Sequence, residues 1–205
     1  MVSKNLFAYD YLVNDINCNF VWKCNQHKII EHYDSNVTNN HVEIGPGTGF
    51  FLQNRQYNTL QLIDINKDIL VNANENLKEN SEKIQTYCHN IFSSSSLHIN
   101  PSRSIGLTYV LHCVPGKIEN NLNDLIQNIQ FNNYTLFGAS VVNDSKETNM
   151  FAETELLWLN RLGIFNNEND TYSGLREYLE ASGLEYNLRL EGYVAIFDIK
   201  VKKWI

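Results

Sequence analysis

The feature that most constrains this chain is a glycine-rich loop that directly follows a short apolar segment ending in an acid. Residues 41–51 read His-Val-Glu-Ile-Gly-Pro-Gly-Thr-Gly-Phe-Phe, so glycines occupy alternate positions shortly after Glu43. Glycine has no Cβ, and such a loop therefore lets main chain approach a nucleotide-like ligand closely. Three glycines in five residues also occur in ordinary turns, and the surrounding sequence has to decide between the two interpretations.

The hydrophobic periodicity predicts strands and helices in alternation, which favours a parallel sheet with helices on both faces. The 205 residues suffice for one domain. Two last strands flank Glu191-Gly192 as a hairpin, so one of them must run antiparallel to its neighbour. Strands are predicted over 42–44, 59–64, 84–88, 104–111, 134–142, 186–190 and 193–201, and helices over about 6–32, from 50 to 54, and over 67–79, 118–129, 147–160 and 173–181.

Composition and charge exclude several classes of function. A net charge of −7 and a pI of about 5.3 argue against a nucleic-acid partner or an anionic membrane surface. No apolar run is long enough to span a bilayer, and no signal core follows Met1, so we expect a cytoplasmic protein. The four cysteines lack a regular disulfide spacing, which favours reduced thiols.

We expect no metal site. Cys18 and Cys24 are followed by His27 and His32 at a tolerable histidine spacing. The two cysteines, however, are too far apart for the usual zinc-binding pair.

Asp64 is the first candidate for a ligand-binding side chain outside the loop. It comes 21 residues after Glu43, at the predicted end of the second strand. A carboxylate there can accept hydrogen bonds from both ribose hydroxyls of a nucleoside. The alternative is an ordinary cap before the helix that starts near Lys67. A dinucleotide fingerprint would need glycine at position 50, where the chain has Phe50, so a nicotinamide-dependent oxidoreductase is disfavoured.

The glycine loop, the acid at its start and several segments beyond it resemble the class I methyltransferases that use S-adenosylmethionine (SAM). Within that superfamily the chain is similar to small enzymes of fungi and bacteria that are often associated with secondary metabolism. At the end of the fourth strand the chain lacks the Pro-Pro-aromatic motif of DNA amino-methyltransferases. The resemblance covers nearly the whole chain and is carried by residues 9–13, 22–24, 41–49, 104–107, 111–116, 136–140, 160–170 and 192–197.

The resemblance implies a Rossmann-like class I methyltransferase fold, with a seven-stranded, mostly parallel sheet and a C-terminal antiparallel hairpin. It implies one domain over 1–205, with a helical cap over 1–35 and a helical insertion over 145–170 that contributes to the acceptor pocket. It also implies SAM as cofactor and S-adenosylhomocysteine (SAH) as product. Asn90 is expected to reach the adenine amino group through its side-chain oxygen, and Ile91 to pack on the ring. The full set of implied cofactor-binding residues is Glu43, Gly45, Pro46, Gly47, Gly49, Asp64, Ile65, Asn90, Ile91 and Leu111.

His112 is the candidate catalytic residue, because it follows the fourth strand where a polar group would face both the methyl group and the acceptor. An imidazole there could act as a general base or orient the acceptor. The alternative is a histidine hydrogen-bonded at a strand end. Cys113 is expected to be a packed thiol, since direct methyl transfer needs no covalent enzyme intermediate.

Aromatic residues from two parts of the chain could enclose a flat acceptor and exclude water. Aromatic residues at helical spacing are more often core, so both interpretations stay open. Arg161 could pair with an acceptor carboxylate or with Glu153 or Glu155 on its own helix. The predicted substrate-binding residues are Tyr9, Tyr11, Trp22, His112, Trp158 and Arg161.

The sequence therefore predicts an enzyme that methylates an oxygen, nitrogen or sulfur atom of a small molecule. A catalytically silent subunit with the same fold is the alternative, and an oxidoreductase is a weaker one. Whether the protein is a monomer or a homodimer stays open.

Overall fold

The structure of the chain is a computed structural model that describes residues 20–93, 97–145 and 149–202. Within these residues, seven strands form one sheet, and five α-helices connect or flank them. The strands are β1 (Asn40–Ile44), β2 (Tyr57–Asp64), β3 (Ser81–Cys88), β4 (Ser104–Thr108), β5 (Tyr134–Val141), β6 (Glu185–Glu191) and β7 (Val194–Val201). The helices are α1 (Gln26–Asn36), α2 (Lys67–Leu77), α3 (Ile118–Asn128), α4 (Met150–Arg161) and α5 (Tyr172–Ser182).

The strand order is β3-β2-β1-β4-β5-β7-β6, with β1 to β5 parallel to one another. β7 pairs antiparallel with both β5 and β6. The sheet is therefore mostly parallel and ends in an antiparallel hairpin, as the sequence predicted. The chain order reverses between β1 and β4, where open sheets of this type bind their ligands at the carboxyl ends of the strands.

Two buried apolar clusters, one on each face of the sheet, hold the fold together. Both faces of the central strands β1, β4 and β5 are thus covered, which is why these strands are almost continuously buried. α3 and α5 pack into the first cluster through residues such as Leu122 and Leu175. α1, α2 and α4 pack into the second through Ile29, Ala73 and Leu156. The prediction of helices on both faces is confirmed.

The prediction of a helix that starts at Phe50 is wrong. Residues 50–52 form a single turn of 3₁₀-helix, and β2 already begins at Tyr57. Only residues 50–56 remain between the glycine loop and β2, too few for the usual helix of about three turns and its connection.

Two other element boundaries differ from the prediction. The fourth strand ends at Thr108 rather than at residue 111, because Tyr109 has φ +59° and cannot continue an extended strand. A 3₁₀ turn follows over Leu111–Cys113. The helix predicted over about 6–32 is interrupted at Lys23, where φ is +55°, and α1 begins after Asn25, whose side chain accepts the His27 N–H.

Residues 1–19 lie outside the described residues, so the predicted cap over 1–35 stays a prediction in that part. The insertion predicted over 145–170 contains α4 and the segment that leads to α5. No helix among the described residues combines the length and apolar character needed to cross a bilayer.

Candidate functional site

The candidate site lies at the carboxyl ends of β1, β2 and β4, beside the point where the strand order reverses. β1 lies between β2 and β4, so the segments that follow these three strands meet at one edge of the sheet. The glycine loop follows β1, Asp64 ends β2, and His112 follows β4. The topology therefore brings together the three features that the sequence singled out.

All three glycines of the loop adopt left-handed backbone conformations, with φ of +66° at Gly45, +55° at Gly47 and +84° at Gly49. A Cβ at Gly45 would lie 2.3 Å from Val110 Cγ2, and one at Gly49 would lie 2.7 Å from a methyl of Leu77. A Cβ at Gly47 would meet nothing within 4 Å. The outer glycines thus permit close packing inside the protein, while the middle one leaves main chain open.

Neighbouring elements hold this loop in place. The Gly45 N–H donates to the Ile63 carbonyl of β2 at 2.8 Å, and the Asn76 side chain of α2 donates to the Thr48 carbonyl at 2.9 Å. Pro46 is buried. The hydroxyl of Thr48 is also buried but has no hydrogen-bond partner among the described residues. An unpartnered buried hydroxyl of this kind is compatible with a ligand that supplies the missing partner.

The carboxylate of Glu43 turns away from the loop and into the protein, where only 3% of the residue is exposed. The Tyr33 hydroxyl donates to Oε1 at 2.6 Å, and His41 Nε2 lies 2.8 Å from Oε2. Burial raises the pKa of Tyr33 well above its usual value, so the phenol keeps its proton and acts as donor. Both oxygens of this predicted cofactor-binding residue therefore have partners inside the protein.

Asp64 lies at the end of β2, where the sequence predicted it. Its Oδ1 accepts the Asn66 N–H at 2.8 Å, which forms a turn before α2. Partial burial raises its pKa. The next residue, Ile65, is 72% exposed. An exposed isoleucine beside a half-buried carboxylate provides an apolar surface and a hydrogen-bond acceptor at the same edge.

The loop after β3 brings Asn90 and Ile91 to the same edge. Asn90 is exposed, and its side-chain oxygen accepts the Phe92 N–H at 3.0 Å. The predicted contact between this oxygen and adenine therefore depends on its second lone pair. Ile91 is 6% exposed. It belongs to the apolar cluster of α3 and α5.

His112 is almost completely buried in the 3₁₀ turn after β4, directly after the fully buried Leu111. Its Nδ1 accepts the Val141 N–H at 3.2 Å. Burial lowers the pKa of His112 to about 3, so the imidazole is neutral near pH 7 and its proton lies on Nε2. In this arrangement the side chain can donate a hydrogen bond through Nε2, whereas the lone pair of Nδ1 is already occupied.

The rings of His112, Phe165 and Trp22 form a row that we call the aromatic wall. The Phe165 ring lies 4.2 Å from the His112 ring, and Trp22 stacks on Phe165 with centroids 6.0 Å apart. Trp22 is only 4% exposed and also contacts Tyr193, so this predicted substrate-binding residue lies in the buried layer behind Phe165. Trp22, Phe165 and His112 are therefore brought together.

The other predicted substrate-binding residues are not placed in this wall. Trp158 is 64% exposed on α4, and Arg161 is exposed at the end of the same helix. Tyr9 and Tyr11 lie outside the described residues. The predictions for these four residues stay predictions.

Sequence reasoning missed two residues that border the site. Tyr109, at φ +59°, has its ring centroid 6.4 Å from that of Phe51 and 6.1 Å from that of His112. Tyr33 of α1 reaches Glu43. The helical spacing from Ile29 could have indicated that Tyr33 is buried, but no sequence signal identifies its partner, and none marks the left-handed backbone of Tyr109.

Similarity to known proteins is spread along the whole chain. No protein-family model matches the sequence. YbcY of Escherichia coli strain K12, an uncharacterized protein, is 30% identical over 189 residues, which cover 89% of this chain and 96% of YbcY. Demethylluteothin O-methyltransferase of Streptomyces thioluteus is 29% identical over 199 residues, which cover 94% of this chain and 85% of that protein.

Among solved structures, human N-acetylserotonin methyltransferase in complex with SAM has the same fold, with a TM-score of 0.60 and 15% identity. The similarity covers 99% of this chain, which spans 61% of the human protein. The fold and the sequence relatives thus agree.

Proposed function

This chain belongs to the class I methyltransferase family, and we propose that it transfers the methyl group of SAM to an oxygen, nitrogen or sulfur atom of a small molecule. The observation that carries the proposal is the left-handed glycine loop beside Asp64 at the edge where the strand order reverses. Open main chain at Gly47 and a carboxylate at the end of the adjacent strand are what a nucleoside with a charged tail requires.

The described residues fit SAM as the cofactor. Gly47 leaves space that any other side chain would fill, the buried Thr48 hydroxyl lacks a partner among these residues, and Ile65 presents an apolar surface. In this proposal Asp64 accepts the ribose hydroxyls, and Ile65, Asn90 and Ile91 lie against the adenine. Leu111 is fully buried and packs behind the site. When bound, SAM supplies a sulfonium-activated methyl group.

This chain's own residues bind the cofactor and the acceptor, align the reacting atoms and exclude water from them. The neutral imidazole of His112 donates from Nε2 and so orients an acceptor atom that carries a lone pair. Its Nδ1 is held by the Val141 N–H, and we therefore favour the orienting role over that of general base. The rings of Phe165 and Tyr109 lie near the His112 ring and keep its surroundings apolar.

We favour oxygen as the acceptor atom. The relative from Streptomyces thioluteus is named an O-methyltransferase, and a hydroxyl or phenol oxygen can accept the hydrogen bond from His112 Nε2 on one lone pair and the methyl group on another. SAH leaves, and the hydroxyl proton passes to solvent, since His112 takes no proton in this arrangement. The net charge of −7 favours a neutral or cationic small molecule over nucleic acid.

Isothermal titration calorimetry with SAM, SAH, NADH and NADPH tests the cofactor. We expect binding of SAM and SAH and no binding of the nicotinamide cofactors. Failure of both sulfur compounds to bind would refute the proposal. Incubation with methyl-labelled SAM and a panel of phenols, alcohols, amines and thiols then tests turnover, because a silent subunit would bind SAM and label none of them.

A further inference from the structure

Tyr33 of α1 contacts both ends of the glycine loop, although it is separated from the loop by the whole of β1. Its hydroxyl reaches Glu43 just before the loop, and its ring reaches Phe51 just after it. We propose that Tyr33 is a positioning residue for the methyl-donor site, acting through Glu43 and Phe51, and that Glu43 holds the loop rather than the ligand. The inference rests on the proposed function, because it assigns the loop to SAM.

The contact at the start of the loop is a buried, charge-assisted hydrogen bond. Tyr33 is 0% exposed and Glu43 3% exposed, and their oxygens are 2.6 Å apart. Hydrogen bonds to a buried carboxylate are among the stronger ones in proteins. On its other side the carboxylate meets His41 Nε2, and His41 Nδ1 lies 2.9 Å from Ser104 Oγ of β4. The acid of β1 is thereby fixed to both α1 and β4.

The contact at the end of the loop is a stack of rings. Tyr33 and Phe51 have centroids 5.1 Å apart and planes inclined by only 16°. The Arg55 guanidinium lies 5.8 Å from the centre of the Tyr33 ring and donates to the Phe51 carbonyl at 2.7 Å. Arg55 also forms an ion pair with Asp34 of α1. The exit of the loop is therefore attached to α1 by Tyr33 and Arg55 together.

The short connection explains why such an attachment is needed. Residues 50–52 form only one 3₁₀ turn, and its hydrogen bonds reach back to the Gly49 and Phe50 carbonyls and no further into the loop. Glycines lose more conformational freedom on ordering than other residues, so a loop that contains three of them is costly to hold. α1 supplies the rigid support, since Tyr33 connects Glu43 and Phe51, which flank the loop on either side.

The same contacts distinguish a positioning role for Glu43 from direct binding of a cationic ligand group. Both carboxylate oxygens have protein partners, and Oε2 also lies 2.2 Å from where a Cβ at Gly106 would be. The space around the carboxylate is thus filled by Tyr33, His41 and β4. The substitution Glu43→Gln could keep this arrangement, because an amide oxygen still accepts from Tyr33 and the amide nitrogen can donate to the other tautomer of His41.

Three variants of the full chain test the inference by calorimetry with SAH. We expect Tyr33→Phe, which removes only the hydroxyl, to weaken SAH binding about tenfold. We expect Glu43→Gln to weaken SAH binding less than Tyr33→Phe does, since it keeps an acceptor for Tyr33 and loses only the charge of that acceptor. Tyr134→Phe is the matched control, because Tyr134 is also buried but its hydroxyl has no hydrogen-bond partner among the described residues. The control should bind SAH like the wild type.

Amide hydrogen exchange of the ligand-free protein gives a second readout that does not depend on the cofactor. We expect Tyr33→Phe to speed exchange over residues 45–52 several-fold relative to both the wild type and Tyr134→Phe, with the strands β5 and β7 unchanged. Unaltered loop exchange in Tyr33→Phe would overturn the inference. So would a large loss of SAH binding in Glu43→Gln with none in Tyr33→Phe, because that pattern indicates direct contact between the carboxylate and the ligand.

The two readouts separate this inference from the proposed function. If the wild type fails to bind SAH and the loop still becomes mobile in Tyr33→Phe, the positioning role holds and the assignment of the cofactor fails. If SAH binds equally well to the wild type and Tyr33→Phe and the loop exchange is unchanged, the cofactor assignment holds and the positioning role fails.

Discussion

Glu43 on β1 and Gly106 on β4 are register partners, and the Glu43 carboxylate occupies the space where a side chain at position 106 would begin. A Cβ on Gly106 would lie 2.2 Å from Glu43 Oε2, closer than nonbonded atoms approach. Gly106 needs no unusual backbone angle, so the requirement for glycine there is steric. A polar network inside the sheet is thus accommodated by the absence of one Cβ.

Gly106→Ala is expected to destabilise the protein by about 1–3 kcal/mol, because the Glu43 carboxylate must move away from Tyr33 or His41. Urea unfolding of Gly106→Ala, Glu43→Ala and the double variant measures the coupling between the two positions. In the Glu43→Ala background, where the carboxylate is gone, the added methyl should cost clearly less. Equal costs in both backgrounds would contradict the steric explanation.

Asp64→Ala is expected to weaken SAM binding by about tenfold to a hundredfold, since in the proposed function Asp64 accepts two hydrogen bonds from the ribose. The fold should persist, because Asp64 is only half-buried and makes a local turn with Asn66. Calorimetry measures the affinity and circular dichroism the fold. Asp68→Ala, in the first turn of α2, is the matched control and should bind SAM normally. Unchanged affinity in Asp64→Ala would refute the ribose role.

His112→Ala is expected to lower turnover much more than SAM affinity, by on the order of tenfold to a hundredfold, because it removes the donor that we propose to orient the acceptor. Burial lowers the pKa of His112 to about 3. The pH profile of the wild-type rate should therefore have no inflection near pH 6.5 that is lost in His112→Ala. A rate that rises through that pH in the wild type, and is flat in His112→Ala, would instead identify a general base.

Asp170→Asn is expected to change the pH dependence of stability. Asp170 is fully buried, its Oδ1 accepts the Ile118 N–H, and its Oδ2 has no partner among the described residues. Burial, with a smaller contribution from Glu119, raises the pKa of Asp170 from 3.8 to about 7. Because the pKa of Asp170 is higher in the folded than in the unfolded protein, protonation of this acid stabilises the folded state at low pH. This contribution to the free energy of unfolding is lost as the pH rises through 7.

The measurement for Asp170 is urea unfolding of the wild type and Asp170→Asn between pH 4 and 8. The free energy of unfolding of the wild type, relative to the variant, should fall by up to ~1.4 kcal/mol per pH unit between pH 4 and 7. The comparison with the variant cancels groups that titrate in both proteins, such as His112. A difference that is independent of pH would show that Asp170 is ionised throughout.

The order of the elements could be read from the sequence, because its signals are local. The alternation of apolar strands and amphipathic helices predicted the parallel sheet, and Glu191-Gly192 predicted the terminal hairpin. Both are confirmed. The helix predicted after Phe50 was wrong, since its two apolar residues at 50 and 51 belong to one 3₁₀ turn that must reach β2 within a few residues.

The sequence by itself determined the sheet, the glycine loop and the position of Asp64, because each depends on residues that are neighbours along the chain. Only the tertiary structure decided that Glu43 faces Tyr33 and His41 instead of the cleft, and that Val141 holds Nδ1 of His112. Hydrogen bonds of this kind join residues on different elements, and their partners are selected by how helices and strands pack. Periodicity shows that a side chain is buried, but it does not show against what.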